Sequence, residues 1–311
     1  MEPTSGVTKR LVERLSRATE LAVLTGAGVS QESGIPTFRG EEGLWRQYRA
    51  EELATWRAFE SDPHLVWSWY DYRRQLISDA EPNPAHRAIA ELEKGYPHFS
   101  LITQNTDGLH DRAGSTAPIE LHGNIWRARC TRDRCTSYQE VFDLPESPLE
   151  EIPPLCPACG SLLRPDIVWY GEPLPIEAYE RSHEVASRCE AMLVVGTSAV
   201  VHPAASLPLV AKHNGAFVVE VNTAYTPISA LVDATLDGNA QGFTTVGGAE
   251  ITGSGILRGW IGGGPASAAK PPMRSSTFRL RSRRATHNPL RLSNTPRSRR
   301  PRPPQPSFGR R

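Results

Sequence analysis

The 311-residue chain lacks any apolar stretch near the roughly 20 residues that a membrane-crossing helix needs. Its first twenty residues, MEPTSGVTKRLVERLSRATE, lack the uninterrupted apolar core of a secretory leader and are charged and periodic instead. The cytoplasm is therefore the expected compartment, with no membrane partner. Cysteine is scarce, with five residues, and four of them fall in one short segment: Cys130, Cys135, Cys156 and Cys159. In a reducing compartment such clustering reads as metal binding before disulfide formation. Acidic residues are missing altogether from 251–311, which holds 14 Lys and Arg, so residues 1–250 carry 21 basic against 34 acidic side chains. The net charge of +1 thus hides two physically different materials.

A third glycine is also missing. The stretch LAVLTGAGVSQESGIPTFRG, residues 21–40, begins as an apolar strand and enters a turn at Gly26-Ala27-Gly28. A dinucleotide fingerprint G-x-G-x-x-G would place its last glycine at position 31, where Gln31 stands. Two glycines let a backbone approach a phosphate. A tight strand-to-helix turn without a ligand would use the same residues. HFSLITQN (98–105), EAMLVVGTS (190–198) and AFVVEVN (216–222) are further apolar runs with polar or glycine ends. Helical patterns at 83–95 and 202–215 separate them. Unbroken apolar strands alternating with helices predict an α/β fold: a Rossmann-like parallel sheet with helices on both faces. Ligands in such sheets lie beyond the carboxyl ends of the strands. The polar segment 124–168, which holds the four cysteines, reads as a small zinc-binding module inserted into a globular part spanning 1–245. Residues 246–311, Gly-rich and then Arg/Pro-rich, cannot bury enough surface to fold and are expected to form a disordered tail.

Three further clusters bear chemistry. TQNTDGLH (103–110) ends a strand with Gln104, Asn105 and Asp107, which suit sugar or amide contacts and equally suit an Asx turn. IELHGN (119–124) offers His122, which titrates near neutrality and is either a general base or a structural histidine. Cys130-x4-Cys135 and Cys156-x2-Cys159 form two knuckles suited to tetrahedral thiolate coordination, closed and structural, with no ligand position to spare. Tyr70 and Arg73, three apart in WSWYDYRRQL, share one face of a helix and would grip a carboxylate together; a solvated helix face is the plainer alternative.

In order along the chain, GAGVSQESGIPTFRG, TQNTDGLH, ELHGN, the four cysteines, RPDIVWYGE, VVGTS and VNT resemble the sirtuins, the NAD-dependent protein deacylases. The match runs from about residue 15 to about 240. The resemblance implies that Gly26, Ala27 and Gly28, with Thr37, Phe38, Arg39 and Trp45 of a cover loop, bind NAD as co-substrate. It implies nicotinamide and ribose contacts from Gln104, Asn105 and Asp107. Contacts to the adenosine half would come from Gly196, Thr197, Ser198, Asn222, Thr223 and Ala240. His122 matches the general base. An acyl-lysine peptide would lie against Val168, Gly171 and Glu172 as an added strand, and the four cysteines would hold one structural zinc ion. The implied reaction moves the acyl group to ADP-ribose and releases nicotinamide; no hydride moves.

Tyr70 and Arg73 match the Tyr-x-x-Arg of class III sirtuins, which remove succinyl and malonyl groups, and Ala54 matches the small residue that widens their acyl pocket. Three features depart from the family pattern. Thr106 replaces the usual Ile or Val, Tyr170 replaces a common Phe, and QGFTTVGGAE with the basic tail stands where a final helix usually follows. Two other readings fit parts of the chain. One is mono-ADP-ribosyl transfer from the same NAD site. The other is nucleic-acid binding through phosphate contacts of the Arg-rich tail.

Overall fold

The computed structural model describes residues 4–36, 49–138, 140–238, 245–246 and 249–250. Met1–Gly264 group into one compact unit; the second, Pro265–Arg311, lies outside the described residues.

Parallel strands build the larger sheet. β1 (Glu20–Thr25), β2 (His98–Thr103), β3 (Ile119–Glu120), β4 (Ala191–Val195), β5 (Phe217–Asn222) and β6 (Ala234–Asp237) lie in the order β3-β2-β1-β4-β5-β6. This is the 3-2-1-4-5-6 order of a doubly wound dinucleotide-binding sheet, and its switch point falls between β1 and β4. Each strand is apolar on both faces because both are covered. Leu21, Val23, Leu101, Leu193 and Val219 pack toward Leu11 of α1 (Thr4–Arg17) and Ala85, Ile89 and Leu92 of α2 (Pro84–Gly95). On the other face Ala22, Leu24, Ile102, Met192 and Val218 meet Val185 and Ala186 of α3 (Ile176–Arg188) and Leu207 and Ala211 of α4 (Leu207–His213). The alternation of successive β1 residues between the two clusters is the period-2 rule of a strand.

A smaller lobe interrupts this pattern. Its three-stranded antiparallel sheet comprises β7 (Gly123–Cys130), β8 (Val141–Asp143) and β9 (Leu163–Ile167), with β7 in the centre. Packed on it is α5 (Pro63–Ser78), which begins where Asp62 accepts a hydrogen bond from the Leu65 amide (2.9 Å) ahead of Pro63 at the first helical position. Trp67, Trp69 and Tyr70 of this helix share one buried cluster with Phe59, Ile125, Leu163 and Trp169. The Trp67 indole N–H donates to the Leu163 carbonyl at 2.8 Å, tying helix to sheet. No helix among the described residues is long and apolar enough to cross a membrane.

At the switch point two turns interlock. The Gly28 amide donates to the Gly196 carbonyl at 2.8 Å, and the Gly26 amide donates to that of Val195 at 3.1 Å. A Cβ on Gly28 would sit 2.7 Å from the Gly196 oxygen. Gly196 in turn has φ +61°, and a Cβ there would lie 2.6 Å from the Val29 nitrogen. The obstruction is backbone, which does not rotate away, so both positions exclude a side chain. Gly28→Ala is expected to destabilise the protein by about 1–3 kcal/mol, read as a lower denaturant midpoint at unchanged slope.

Candidate active site

The strand ends converge on Thr197, buried just after β4. Gln104, after β2, donates from Nε2 to its Oγ1 at 2.9 Å. Asn222, the last residue of β5, donates from Nδ2 to its carbonyl at 2.7 Å, and the Thr223 amide donates to Asn222 Oδ1 at 2.9 Å. Thus Gly26, Ala27, Gly28, Gln104, Gly196, Thr197 and Asn222 come together at the carboxyl edge of the sheet, where Ser198 and Thr223 stay exposed.

Behind this edge lies a buried polar network. Ser30 Oγ donates to Asp107 Oδ2 at 2.7 Å and accepts from Asn105 Nδ2 at 3.1 Å. Asp107 Oδ1 accepts from the Leu109 amide at 2.9 Å, and the Trp126 indole donates to the Asp107 carbonyl at 2.8 Å. Burial pushes the Asp107 carboxyl above its ordinary pKa, and these hydrogen bonds and Arg73 only partly oppose the shift. Two histidines complete the network. His86 Nε2 lies 3.4 Å from Ser30 Oγ, His110 Nε2 lies 3.0 Å from Thr25 Oγ1, and the two rings are 4.8 Å apart. Burial lowers His86 to about 4 and His110 to about 3, with Arg87 and His86 respectively adding repulsion.

His122 follows β3 at the same edge. Its Nδ1 is 3.0 Å from the Gln104 carbonyl. A carbonyl only accepts, so Nδ1 carries the proton and Nε2 keeps a lone pair. Burial lowers the imidazole pKa, and the hydrogen bond to Gln104 partly restores it. The result is a neutral ring in a set tautomer, which is the form a proton acceptor requires.

The candidate acyl-side residues come from three segments. Ala54 is buried, and its carbonyl accepts from the Tyr170 amide at 2.9 Å; the Val168 amide donates to the His122 carbonyl at 3.0 Å. Tyr70 is buried, and burial pushes its phenol far above the usual range, so the proton stays on. Arg73 is half-buried with its guanidinium 5.3 Å from the centre of the Trp69 ring. Burial lowers its pKa, countered by Tyr70 and Asp107. The neighbouring Arg74 does other work. It is fully buried and donates to the carbonyls of Ile125 (2.6 Å), Leu144 and Glu146 (2.7 Å). Gly171 is exposed, but the Glu172 carboxylate is held by Arg164 at 2.5 and 2.9 Å and by the Trp169 amide at 2.9 Å. Half-burial works against that charge; the Arg164 pair and the amide outweigh it and hold the carboxyl below its ordinary value. The Glu172 amide is also taken, by the Trp169 carbonyl at 3.0 Å, which leaves the Glu172 carbonyl to meet a peptide.

The four clustered cysteines converge. All four sulfurs lie within 4.8 Å of one another, with Cys130–Cys159 at 3.6 Å and Cys135–Cys156 at 3.8 Å. Four thiolates at Zn–S distances of about 2.3 Å would have tetrahedral edges of about 3.8 Å. Cys189 is buried apart from them. Thr37, Phe38, Arg39, Trp45 and Ala240 lie outside the described residues. Sequence reasoning missed Ser30, His86 and His110. His86 stands three residues after the helix-capping Asn83 and receives its amide proton at Nδ1 (3.3 Å), a capping-box position that pointed only to a helix start.

A six-stranded doubly wound sheet whose glycine turn meets the next strand at the switch point defines a dinucleotide-binding α/β protein. Comparison with known proteins narrows this. The Sir2 family model matches residues 26–203. NAD-dependent protein deacylase 1 of Caldanaerobacter subterraneus subsp. tengcongensis is 54% identical over 221 residues, 71% of this chain and 89% of that protein. The NAD-dependent protein deacylase of Aquifex aeolicus is 54% identical over 213 residues, 68% and 87% of the two chains. Among solved structures, a Sir2 homolog–NAD complex superposes with a TM-score of 0.71 at 46% identity, over 76% of this chain and 90% of that one. A Sir2–p53 peptide–NAD+ complex gives 0.65 at 34% identity, over 76% and 95%. The chain belongs to the Sir2 family, the sirtuins.

The two buried histidines make stability pH-dependent. Their folded pKa values lie below the ordinary value of about 6.5, so the unfolded chain binds more protons under mildly acidic conditions. Stability is therefore expected to fall as pH drops from about 6.5 toward 3. His110→Gln should flatten the slope of unfolding free energy against pH, measured by denaturant titration.

Proposed function

We propose that the protein is an NAD-dependent protein-lysine deacylase. It transfers the acyl group from lysine to ADP-ribose, releases nicotinamide, acts on acetyl-lysine, and prefers succinyl- and malonyl-lysine. The observation that carries this reading is His122: a half-buried, neutral imidazole, pinned through Nδ1 to the carbonyl of Gln104, itself joined to Thr197 at the switch point. Its support includes the relatives named as NAD-dependent deacylases and solved Sir2 structures with 2′-O-acetyl ADP ribose and a p53 peptide.

Bound NAD would supply an activated bond between ribose and nicotinamide together with the hydroxyls that receive the acyl group. The chain's own residues do the rest. The Gly26–Gly28 turn carries no side chain larger than the Ala27 methyl to bar the diphosphate, and Ala27 and Gly28 are partly open. Gly196, Thr197, Ser198, Asn222 and Thr223 would hold the adenosine half, with Ala240 beyond the described residues. Asn105 and Asp107 face the nicotinamide side, and Thr37, Phe38, Arg39 and Trp45 would complete the cover. His122 Nε2 accepts the proton of a ribose hydroxyl, which frees that oxygen for the acyl carbon. The peptide backbone lies along 168–172 by strand addition. The terminal carboxylate of a succinyl group then meets Arg73 and the Tyr70 hydroxyl, a charge-assisted pair in a desolvated pocket. Ala54, small and buried, leaves room for the longer acyl chain.

We assign the catalytic unit to residues 1–245 and the tail to 246–311. Cys130, Cys135, Cys156 and Cys159 would hold one zinc ion as a closed structural site in the module at 124–168, contributing stability and no step of the reaction. Purified protein is expected to contain one zinc per chain, and chelation to lower its thermal midpoint; metal-free protein of unchanged stability would contradict the assignment.

Nicotinamide release is expected to depend on an acylated peptide. His122→Ala should cut it by about 100-fold or more. Arg73→Met should lower kcat/KM for a succinyl peptide by about 10- to 100-fold and shift preference toward acetyl-lysine. An unaltered preference would overturn the acidic-acyl part of the reading.

A further inference from the structure

We propose that Trp169 is a positioning residue for acyl selectivity: its indole N–H occupies the Tyr70 oxygen as acceptor and so leaves the Tyr70 proton for the terminal carboxylate of an acidic acyl group. The inference rests on the reading of Tyr70 and Arg73 as the acyl-carboxylate site.

The Trp169 Nε1 to Tyr70 Oη distance is 2.9 Å, with both residues about 1% exposed. Indole nitrogen donates only, so Tyr70 must be the acceptor in this pair. The phenolic proton then has to go elsewhere. Among the described residues no acceptor for it is recorded, and a buried donor left without one is costly. A carboxylate is an acceptor-only group that would satisfy it; the methyl of an acetyl group would not. Selectivity thus comes from the direction of one O–H as well as from the charge of Arg73.

Trp169 is held tightly enough to impose that direction. The Arg164 guanidinium lies 3.6 Å from its ring centre, with the rings of Phe59 at 5.3 Å and Trp56 at 6.0 Å. Arg164 is itself fixed by Glu172 in a two-pronged ion pair and by the Ile167 carbonyl at 2.9 Å. Glu172 also accepts from the Trp169 amide, so one carboxylate clamps the residue at both backbone and ring. This gives the Glu172 side chain a role that a peptide contact does not describe. A phenylalanine at 169 would keep most of the packing and lose only the donor, after which the Tyr70 hydroxyl is free to turn.

The test compares kcat/KM for matched succinyl and acetyl peptides in wild type, Trp169→Phe, Tyr70→Phe, the double variant and Arg73→Met. Trp169→Phe is expected to lower the succinyl-to-acetyl ratio about three- to tenfold, chiefly through the succinyl KM. It should add little in the Tyr70→Phe background, since the two act as a unit. Equal losses for both peptides, or additive effects of the two substitutions, would overturn the proposal. If Arg73→Met leaves the ratio unchanged, the acidic-acyl reading itself fails; if Arg73→Met shifts it and Trp169→Phe does not, only the role of Trp169 fails. Should Trp169→Phe not fold, Glu172→Gln loosens the clamp without touching the ring. It should shift the ratio in the same direction, and an unchanged ratio would again overturn the proposal.

Discussion

The proposed catalytic edge hangs on the contact between two backbone turns. The Gly28 amide and the Gly196 carbonyl meet at 2.8 Å, and neither position has space for a Cβ. This contact sets how closely β1 and β4 approach at their carboxyl ends, and thereby where Thr197 stands. Thr197 collects Gln104 from one side and Asn222 from the other, and Gln104 in turn holds His122 in its tautomer. The two glycines thus do two jobs. They leave open the turn that we propose takes the diphosphate, and they let the sheet close tightly at the edge where His122, two strands away, is held.

Helix α5 couples the second half of the site to the cysteine module. Tyr70 and Arg73 belong to the proposed acyl pocket. Asp71 and Arg74, one residue further on in each case, serve the module. Arg74 binds three of its carbonyls, and Asp71 Oδ1 accepts from the Leu149 amide at 2.9 Å. Arg74 is a buried cation whose two terminal nitrogens donate to carbonyl oxygens, with Trp126 beneath it at 5.0 Å. Removing it would leave several carbonyls unpaired. The helix therefore ties the sheet that carries the four cysteines to the segment that carries Tyr70.

Much of this organisation was legible in the sequence. Strands at 21–26, 98–105, 190–198 and 216–222 announced themselves as unbroken apolar runs because a sheet covered on both faces needs them. The cysteine spacing announced a cluster because two paired knuckles are the pattern of a four-thiolate site, and the four sulfurs do meet. The short β6 at Ala234–Asp237 did not stand out, since a brief strand at the edge of the sheet carries little apolar pattern. Ser30, His86 and His110 were illegible for another reason. Their meaning lies in contacts between residues 24 to 85 positions apart, and each alone is an ordinary turn, cap or helix residue. Spacing from Tyr70 singled out Arg73 in the chain, but the burial of Arg74 against three carbonyls was not legible there. Trp169 went unremarked within RPDIVWYGE, because nothing in the sequence says which way an indole N–H points.

The central claim is that this edge uses NAD as the acceptor of an acyl group. Product accounting tests it most directly, with the purified chain, a succinyl-lysine peptide and NAD labelled in the adenosine half. The account predicts that each succinyl group removed yields one nicotinamide and one labelled O-succinyl-ADP-ribose. Free succinate formed without consumption of NAD, or label retained on protein, would contradict it.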